Sequence, residues 1–147
     1  MSITQVTPEE AKRLLDAGGC IYLDVRTVPE FVAGHPPAAL NVPVVELSLA
    51  SGRMELNEGF LPTVEQAVSR DAQLIVGCQS GGRSQMACEL LAQVGYRSLR
   101  NLEGGFGGVV NSTGQVLQEG WSTLGYPIER GLGGDKSYAA LARNPSA

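Results

Sequence analysis

The sequence predicts an α/β fold of three layers, in which a central parallel sheet of about five short strands has helices on both faces. Short apolar runs rich in Val, Ile and Leu lack polar alternation, so both faces of these strands are expected to be buried. Segments with helical spacing of apolar residues lie between them. The 147 residues suit one domain, which we place at residues 1–130, with a C-terminal tail at 131–147 in which SYAALAR has the pattern of a short helix.

The N-terminal half supplies the first elements of this pattern. A capping box at Thr7, with proline at the first helical position, predicts a helix over residues 8–17 that ends at Gly18. The run CIYLDV predicts a buried strand at residues 20–25. The next predicted elements are a short helix in VPEFVAG, a strand at 39–44 and, because no period is sustained there, a loop over residues 45–60.

The C-terminal half continues the alternation of helices and strands. Its predicted elements are, in order, a helix at 63–69, a strand at 72–77, a helix at 84–94, a strand at 97–102 and a hairpin around 111–114. Because the carboxyl ends of parallel strands gather at one edge of a sheet, active groups are expected at that edge. Cys78 directly follows a predicted strand and is therefore expected there.

Composition and charge argue against several classes of function. The net charge is −4 and there is no Lys/Arg run, so no nucleic-acid partner is expected. No apolar run approaches the roughly 18 residues of a membrane span, so no membrane partner is expected either. The first residues lack the pattern of a secretory signal, which predicts a cytoplasmic protein. Three cysteines and one histidine form no cluster with metal-ligand spacing, so we expect no metal. A Gly-x-Gly-x-x-Gly motif starting at Gly105 is not completed, because position 110 is Val, and no organic cofactor is expected either.

The segment CQSGGRS, residues 78–84, carries the predicted chemistry. A glycine-rich turn between a strand and a helix points backbone N–H groups into one concavity, and the helix dipole adds to their field, so an anion is favoured there. The same field favours the thiolate of Cys78 and makes it a nucleophile. Arg83 can hold an oxyanion through two parallel hydrogen bonds, and Ser84 is predicted to cap the following helix. The predicted anion-binding loop is completed by Gln79, Ser80, Gly81 and Gly82.

The same residue types allow other interpretations. A buried cysteine before an ordinary turn would be an inert packing group. His35 raises the alternative of a Cys–His protease, and Asp24 with Glu30 that of a carboxylate acid/base pair. We favour structural hydrogen bonding for the histidine and pairing with arginines for both carboxylates. The residues expected to have a packing role without chemistry are Cys20, Cys88 and Trp121.

The sequence resembles the rhodanese-like sulfurtransferases over about residues 4–130. The motifs that carry the resemblance are YLDVRTVPEFVAGHPPAALNVP, the loop CQSGGRS, NLEGGFGG and GWSTLGYP. The resemblance implies a rhodanese-like fold in which Cys78 becomes a persulfide by taking sulfane sulfur from a small anionic donor. It also implies delivery of that sulfur to cyanide, a thiol or a protein acceptor. Supporting roles follow for Asp24 and Arg26, with Asp24 orienting the active loop or Arg83.

Departures from the family pattern refine this prediction. The loop differs from the Cys-Gly-hydroxyl-Gly-Val-Thr loop of mercaptopyruvate-preferring members, so thiosulfate is the expected donor. Phosphatases and arsenate reductases of the same scaffold have one more residue between Cys and Arg, which makes that function the weaker alternative. The other alternative is a sulfur-relay or sensing module that serves one protein partner. Ala38 stands where the family often has glycine, so the turn after His35 is expected to be altered.

Overall fold

A parallel sheet of five strands forms the centre of the molecule. The computed structural model describes residues 3–143. In chain order, its helices and strands are β1 (Ile3–Val6), α1 (Pro8–Ala17), β2 (Cys20–Asp24), α2 (Val28–Ala33), β3 (Leu40–Asn41), β4 (Val45–Leu47), β5 (Met54–Leu56), α3 (Phe60–Ala67), β6 (Gln73–Gly77), α4 (Gly82–Gln93), β7 (Ser98–Leu102), β8 (Val109–Val110), β9 (Val116–Gln118) and α5 (Tyr138–Arg143). The strands of the central sheet lie in the order β1-β7-β6-β2-β3.

Helices cover both faces of this sheet, which confirms the predicted three-layer class. Because side chains alternate along a strand, Leu74 and Val76 of β6 pack on one face with residues of α3 and α4. Ile75, between them, packs on the other face with Ala11 of α1 and Phe31 of α2. Both faces of the central strands are therefore apolar, as the unbroken runs in the sequence indicated.

The strand register brings the polar residues of the site to one edge. Asp24 of β2 pairs with Gly77 of β6, and Val76 of β6 pairs with Asn101 of β7. All of these pairings are parallel, so the carboxyl ends of the strands meet at the same edge of the sheet. Cys78 follows Gly77 and lies at this edge, which confirms its predicted position.

Two strands of the central sheet differ from the prediction. β1 was not predicted, because Thr4 and Gln5 interrupt the short segment ITQV and leave no apolar run; the strand is held by parallel pairing with β7. The strand predicted at 39–44 is confined to Leu40–Asn41. Pro43 explains the early end, since proline has no N–H to donate to a ladder.

The loop predicted over residues 45–60 is wrong. β4 and β5 form an antiparallel hairpin within it, and α3 begins at Phe60 instead of residue 63. Each of these strands has only three residues, too few for alternation to be distinguished from chance. By contrast, the hairpin predicted around 111–114 is confirmed by β8 and β9.

The turn after His35 keeps a backbone suited to glycine. Ala38 has φ of 66°, in the left-handed region that only glycine adopts without steric cost. Its neighbour Ala39 is buried and belongs to the core on the α1 face of the sheet. The chain thus accepts strain at Ala38, while the following residue remains in the core.

The C-terminal part of the described chain is attached to the body of the domain. The short helix predicted in SYAALAR is confirmed as α5, and the Tyr138 hydroxyl accepts a hydrogen bond of 3.0 Å from Asn57 Nδ2. The division of the chain at residue 130 stays a prediction, and residues 144–147 of the predicted tail lie outside the described residues. Within residues 3–143, no helix has the length and hydropathy needed to cross a membrane.

Candidate active site

A tight turn after β6 shapes the active loop, residues 78–83. Gly81 has φ of 122°, which a residue with a side chain rarely adopts, and it returns the chain toward Cys78. α4 begins at Gly82, so Gly81 occupies the position just before the helix. The prediction that Ser84 caps α4 is therefore wrong. Ser84 lies in the first helical turn and points its hydroxyl at the cysteine instead.

The sulfur of Cys78 is held by two hydrogen-bonding partners within the described chain. The Gly81 N–H donates to Sγ at 3.0 Å, and Ser84 Oγ lies 3.3 Å from Sγ. Cys78 is only 1% exposed. A backbone N–H directed at sulfur favours negative charge there, so the predicted contact between loop amides and sulfur is confirmed for one amide, that of Gly81.

The Ser84 hydroxyl is shared between the sulfur and a side chain of β7. Ser84 Oγ lies 2.5 Å from Asn101 Oδ1, a contact in which the hydroxyl is the donor. A hydroxyl has a single proton. While Ser84 donates to Asn101, its oxygen can accept from a Cys78 thiol; to stabilise a thiolate, it must turn its proton to the sulfur. The Gly81 carbonyl oxygen, 3.1 Å from Ser84 Oγ, is a further acceptor, so Asn101, Gly81 and a thiolate compete for one hydrogen bond.

Asn101 was missed by sequence reasoning. It is 4% exposed at the carboxyl end of β7, and its Nδ2 donates to Gln5 Oε1 at 2.8 Å. These contacts link the Cys78 sulfur, through Ser84, to β1. The available signal was an asparagine near the end of an otherwise buried predicted strand, a position that requires hydrogen-bond partners.

Replacing Asn101 with Leu is expected to lower the free energy of unfolding by about 1–3 kcal/mol, because the buried hydrogen bonds of its amide with Ser84, Gln5 and the Gly81 carbonyl are lost. Chemical denaturation measures the change. The matched variant Gln5→Ala removes the exposed end of the same chain of hydrogen bonds, together with an exposed bond to Gln85, and should cost at most about 1 kcal/mol. Equal stability of Asn101→Leu and the wild type would show that these bonds add nothing to the fold.

The glycine-rich segment after β7, residues 104–108, holds the active loop through backbone hydrogen bonds. The Phe106 N–H donates to the Cys78 carbonyl at 2.8 Å, and the Gly107 N–H donates to the Gln79 carbonyl at 2.9 Å. The remaining predicted loop residues lie at the exposed side of the turn: Gln79, Ser80 and Gly82. Main-chain hydrogen bonds from the glycine-rich segment therefore fix the backbone of the loop at Cys78 and Gln79.

A buried ion pair supports the loop. Arg26 Nη2 donates to Asp24 Oδ2 at 2.7 Å, and both side chains are almost fully buried. Arg26 Nη1 also donates to Gln79 Oε1 at 3.3 Å. Asp24 therefore acts on the loop through Arg26, and the alternative that it orients Arg83 is wrong, because the acidic partner of Arg83 is Glu30. The predicted pairing of both carboxylates with arginines is confirmed.

Glu30 and Arg83 form a two-pronged ion pair at the margin of the loop. Arg83 Nη1 and Nη2 donate to the two carboxylate oxygens at 2.8 and 2.9 Å. These hydrogen bonds, with help from Thr27, lower the pKa of Glu30 to about 2. The guanidinium carries five N–H donors, so this pair leaves three for another ligand. The sequence predicted an arginine partner for Glu30 but did not identify it as Arg83.

The ion pair makes a pH-dependent contribution to stability. The pKa of Glu30 is lower in the folded chain than its ordinary value of 4.5, so the contribution is fully present above about pH 4.5 and is lost as the pH falls through about 2. We expect Glu30→Gln to lose less unfolding free energy than the wild type over this interval. Urea denaturation at several pH values measures the unfolding free energy of each protein. If the two free energies fell in parallel as the pH is lowered, the prediction would be contradicted.

The remaining cysteines and the histidine have structural surroundings. Burial raises the pKa of the Cys88 thiol to about 12, so this residue is an inert core group, as predicted. Cys20 is half-buried at the start of β2. His35 stacks on the Phe31 ring at 3.7 Å and its Nδ1 contacts the Phe31 carbonyl at 2.7 Å. The histidine is not a hydrogen-bonding partner of Cys78, which rules out the Cys–His pair of a protease in this conformation.

Trp121 is a core anchor, as predicted. It is almost fully buried, and its Nε1 donates to the Pro127 carbonyl at 2.7 Å. Its ring makes edge contacts with the rings of Tyr22 and Tyr126. The indole thus holds the segment after β9 against the sheet, and it is not available to stack on a ligand.

Two clefts adjoin the active loop and share Glu30. The larger, called here the main cleft, has a volume of about 600 Å³ and lies between the start of α2, the β4–β5 hairpin and Arg83. The smaller has about 260 Å³ and is lined by Arg26, Gln79 and Phe106, among others. Cys78 lines neither cleft, in keeping with its burial beneath the loop.

The arrangement of a buried cysteine, one amide donor and a loop-ending arginine can be compared with known families. The profile of the Rhodanese-like domain family matches residues 7–112, which is more than half of the chain. The chain belongs to this family. The predicted rhodanese-like fold is thereby confirmed, and sulfurtransferase is the general class of activity that the match supports.

Relatives of known name agree with the family. Thiosulfate sulfurtransferase 18 from Arabidopsis thaliana is 41% identical over 71% of this chain and 76% of its own length. Human thiosulfate:glutathione sulfurtransferase is 35% identical over 69% of this chain and 88% of its own length. Other A. thaliana relatives are named as chloroplastic or mitochondrial proteins, so the cytoplasmic location of this rhodanese-like chain stays a prediction.

A solved structure of similar fold comes from Mycobacterium tuberculosis. This crystal structure aligns with a TM-score of 0.72 at 25% identity and covers 89% of the rhodanese-like chain described here and 100% of its own. The similarity therefore extends over nearly the whole described domain, including both sides of the active loop.

Proposed function

We propose that this rhodanese-like chain is a thiosulfate sulfurtransferase in which Cys78 carries the transferred sulfur. The proposal rests on the Gly81 N–H that donates to Cys78 Sγ, inside a loop that ends at Arg83. It is supported by the names of the A. thaliana and human relatives, which both specify thiosulfate. The human name also specifies glutathione, which supports a thiol as the acceptor.

The reaction has two displacements at sulfur. The Cys78 thiolate attacks the outer sulfur of thiosulfate, the S–S bond of the donor breaks, and its electron pair leaves with sulfite. The enzyme then holds a persulfide. Cyanide, a thiolate or a protein thiolate attacks the outer sulfur of this persulfide, and the electron pair of the broken S–S bond returns to Cys78. No redox partner is needed, since each step transfers one sulfur atom between nucleophiles.

The loop residues have separate roles in this proposal. Arg83 binds the sulfonate oxygens of the donor through N–H groups that Glu30 does not use. The Gly81 N–H and the Ser84 hydroxyl stabilise the thiolate, and the backbone N–H groups of the exposed side of the loop, at Gln79, Ser80 and Gly82, stabilise the outer sulfur of the persulfide. Asp24 holds Arg26, and Arg26 supports the loop through its hydrogen bond to Gln79.

Burial of Cys78 favours a donor with a small terminal atom. Because the residue is 1% exposed, a reacting atom must enter the concavity of the loop to reach Sγ. The outer sulfur of thiosulfate has no substituent beyond the bond that breaks, so it can enter while the sulfonate remains near Arg83. A phosphate or arsenate centre is surrounded by four oxygens and needs a wider cradle, which makes the phosphatase or arsenate reductase alternative the weaker one.

Steady-state assays test the proposed activity. With thiosulfate and cyanide, we expect sulfite and thiocyanate to form in equal amounts, with saturation in both substrates. With thiosulfate and glutathione, sulfite release should continue because a thiol replaces cyanide as the acceptor. Hydrolysis of a phosphate ester or reduction of arsenate, in the absence of sulfite release from thiosulfate, would replace this function with the alternative.

Replacing Arg83 with Lys is expected to reduce kcat/KM for thiosulfate by about one to two orders of magnitude, because lysine keeps the charge but loses the planar fork. The matched variant Arg97→Lys alters an exposed ion pair with Asp71 and should leave the kinetics unchanged. A wild-type value of kcat/KM for Arg83→Lys would show that Arg83 only supports structure.

The second candidate is a sulfur-relay module that delivers its persulfide to one protein partner. The observation that favours it is the main cleft, whose volume of about 600 Å³ exceeds what cyanide requires. In that case, turnover with small acceptors would be slow compared with single-turnover transfer to the partner.

A further inference from the structure

The β4–β5 hairpin exposes apolar side chains beside the active loop. Leu47, Met54 and Leu56 are 60%, 49% and 54% exposed. Val45 pairs with Leu56, and Leu47 pairs with Met54, so all of them lie on one face of the ribbon. Large apolar side chains exposed together in this way mark an interaction surface.

The main cleft connects this face to the catalytic residues. Its apolar walls are Val28 and Pro29 at the start of α2, together with Leu47 and Met54 of the hairpin. Arg83, which ends the active loop, also lines it. A molecule that fills this cleft would therefore contact the hairpin at one end and the margin of the loop at the other.

An acidic groove continues from the main cleft along the hairpin. This groove of about 390 Å³ shares Glu46 and Leu47 with the cleft and is also lined by Glu55 and Glu58. Glu46 and Glu55 are direct cross-strand neighbours, an arrangement of like charges that destabilises a hairpin. Among the ion pairs of residues 3–143, none includes these three glutamates. A bound cation would relieve the repulsion.

We propose that the main cleft and the acidic groove together bind an extended segment of a sulfur-acceptor protein that carries a cysteine and, further along, basic side chains. The inference rests on the proposed function. An apolar side chain of the segment packs between Pro29 and Met54 on one face of the ribbon. Glu46 and Glu55 point to the other face, because side chains alternate along a strand, so the segment passes the edge of the ribbon at Glu46 and its lysine or arginine side chains lie against the two glutamates there. An extended chain rises about 3.3 Å per residue, so a segment of several residues can contact both the margin of the loop and the glutamates.

Docking in this position sets up the second displacement. The acceptor thiolate attacks the outer sulfur of the Cys78 persulfide, the S–S bond breaks, and the electron pair returns to Cys78. The acceptor cysteine leaves as a persulfide. The glutamates take no part in this step; they raise the rate at which a basic segment is captured, an effect that salt weakens.

The test compares two synthetic peptides. Each has one cysteine, an apolar residue next to it and a pair of charged residues four positions away, which are lysines in one peptide and glutamates in the other. The Cys78 persulfide is formed with thiosulfate and counted by intact mass; inorganic polysulfide forms it if thiosulfate does not. If polysulfide forms the persulfide and thiosulfate does not, the proposed function is contradicted. The peptide comparison then still tests the docking proposal.

On the loaded wild type, we expect faster transfer to the lysine peptide than to the glutamate peptide, by about two- to tenfold at low salt. The double variant Glu46→Gln/Glu55→Gln should lose most of this preference, with each transfer rate normalised to the rate of transfer to glutathione. It should be no less stable than the wild type, because the repulsion between the two glutamates is removed. The matched double variant Glu9→Gln/Glu129→Gln should keep it.

Three results would overturn the docking proposal. One is equal transfer to the two peptides on the wild type, and another is an equal loss of preference in both double variants. The third is occupation of the cleft by a second copy of this chain, seen as a dimer in sedimentation that Leu47→Ser converts to a monomer.

Discussion

Replacing Cys78 with Ser is expected to abolish thiosulfate turnover, leaving the rate of the reaction without protein. Serine is close in size to cysteine and keeps the hydrogen bonds of the loop, but its hydroxyl does not ionise near neutral pH and cannot form a persulfide. Sulfite release and thiocyanate formation measure the loss, and circular dichroism checks the fold.

The matched variants distinguish Cys78 from the other thiols. Cys20→Ser changes a half-buried cysteine at the opposite end of β2 from the catalytic edge and should leave turnover unchanged. Cys88→Ala removes a buried sulfur whose thiol does not ionise, so it should reduce stability more than activity. If Cys78→Ser kept residual turnover, and adding Cys20→Ser or Cys88→Ala to it abolished that turnover, the catalytic role would belong to the second cysteine.

Replacing Gly105 with Ala is expected to damage both the fold and the site. A Cβ at this position would lie 2.5 Å from the Cys78 carbonyl oxygen and 2.7 Å from the Gln79 carbonyl carbon. These are backbone atoms of the active loop, so the loop must shift. We expect a loss of about 2–5 kcal/mol in unfolding free energy from overlap and left-handed strain, and a fall in kcat of about a hundredfold for a displacement near 1 Å.

Gly114→Ala is the matched control for this substitution. Gly114 also has a positive φ, of 85°, but no atom lies within 4 Å of the added Cβ. It should therefore cost about 1 kcal/mol of left-handed strain and leave kcat unchanged. If Gly105→Ala behaved like Gly114→Ala in both stability and kcat, the contact between the glycine-rich segment and the active loop would have no role in catalysis.

The sequence allowed much of the fold to be predicted because its main strands are buried on both faces. β2 and β6 appear as short apolar runs, and because parallel strands end at one edge of the sheet, the position of Cys78 at that edge was predictable. β7, with the sequence SLRNL, was also predicted as a strand, although only two of its five residues are apolar. β1 and the β4–β5 hairpin were missed for the opposite reason. They are short and partly exposed. β1 is held by β7, which is remote in sequence, and each strand of the hairpin has only three residues, so no apolar period is visible.

The site was predictable where its parts are adjacent along the chain. Cys78, Gly81 and Arg83 belong to one turn, and the chemistry of that turn follows from their spacing. Asn101 and Glu30 lie on other elements, 17 and 53 positions away from the loop residues they bind. Sequence spacing gives no information about such partners. The structure was needed to show that Arg83 is held by a carboxylate and that the Ser84 hydroxyl is shared.

In the proposed reaction, Cys78 takes one sulfur atom from thiosulfate. The most direct measurement is the intact mass of the protein after brief exposure to thiosulfate, followed by peptide mapping under non-reducing conditions. We expect a gain of one sulfur atom on the peptide that contains Cys78, and we expect cyanide to remove it. Absence of the gain, or its location on the peptide that contains Cys20 or Cys88, would contradict the account.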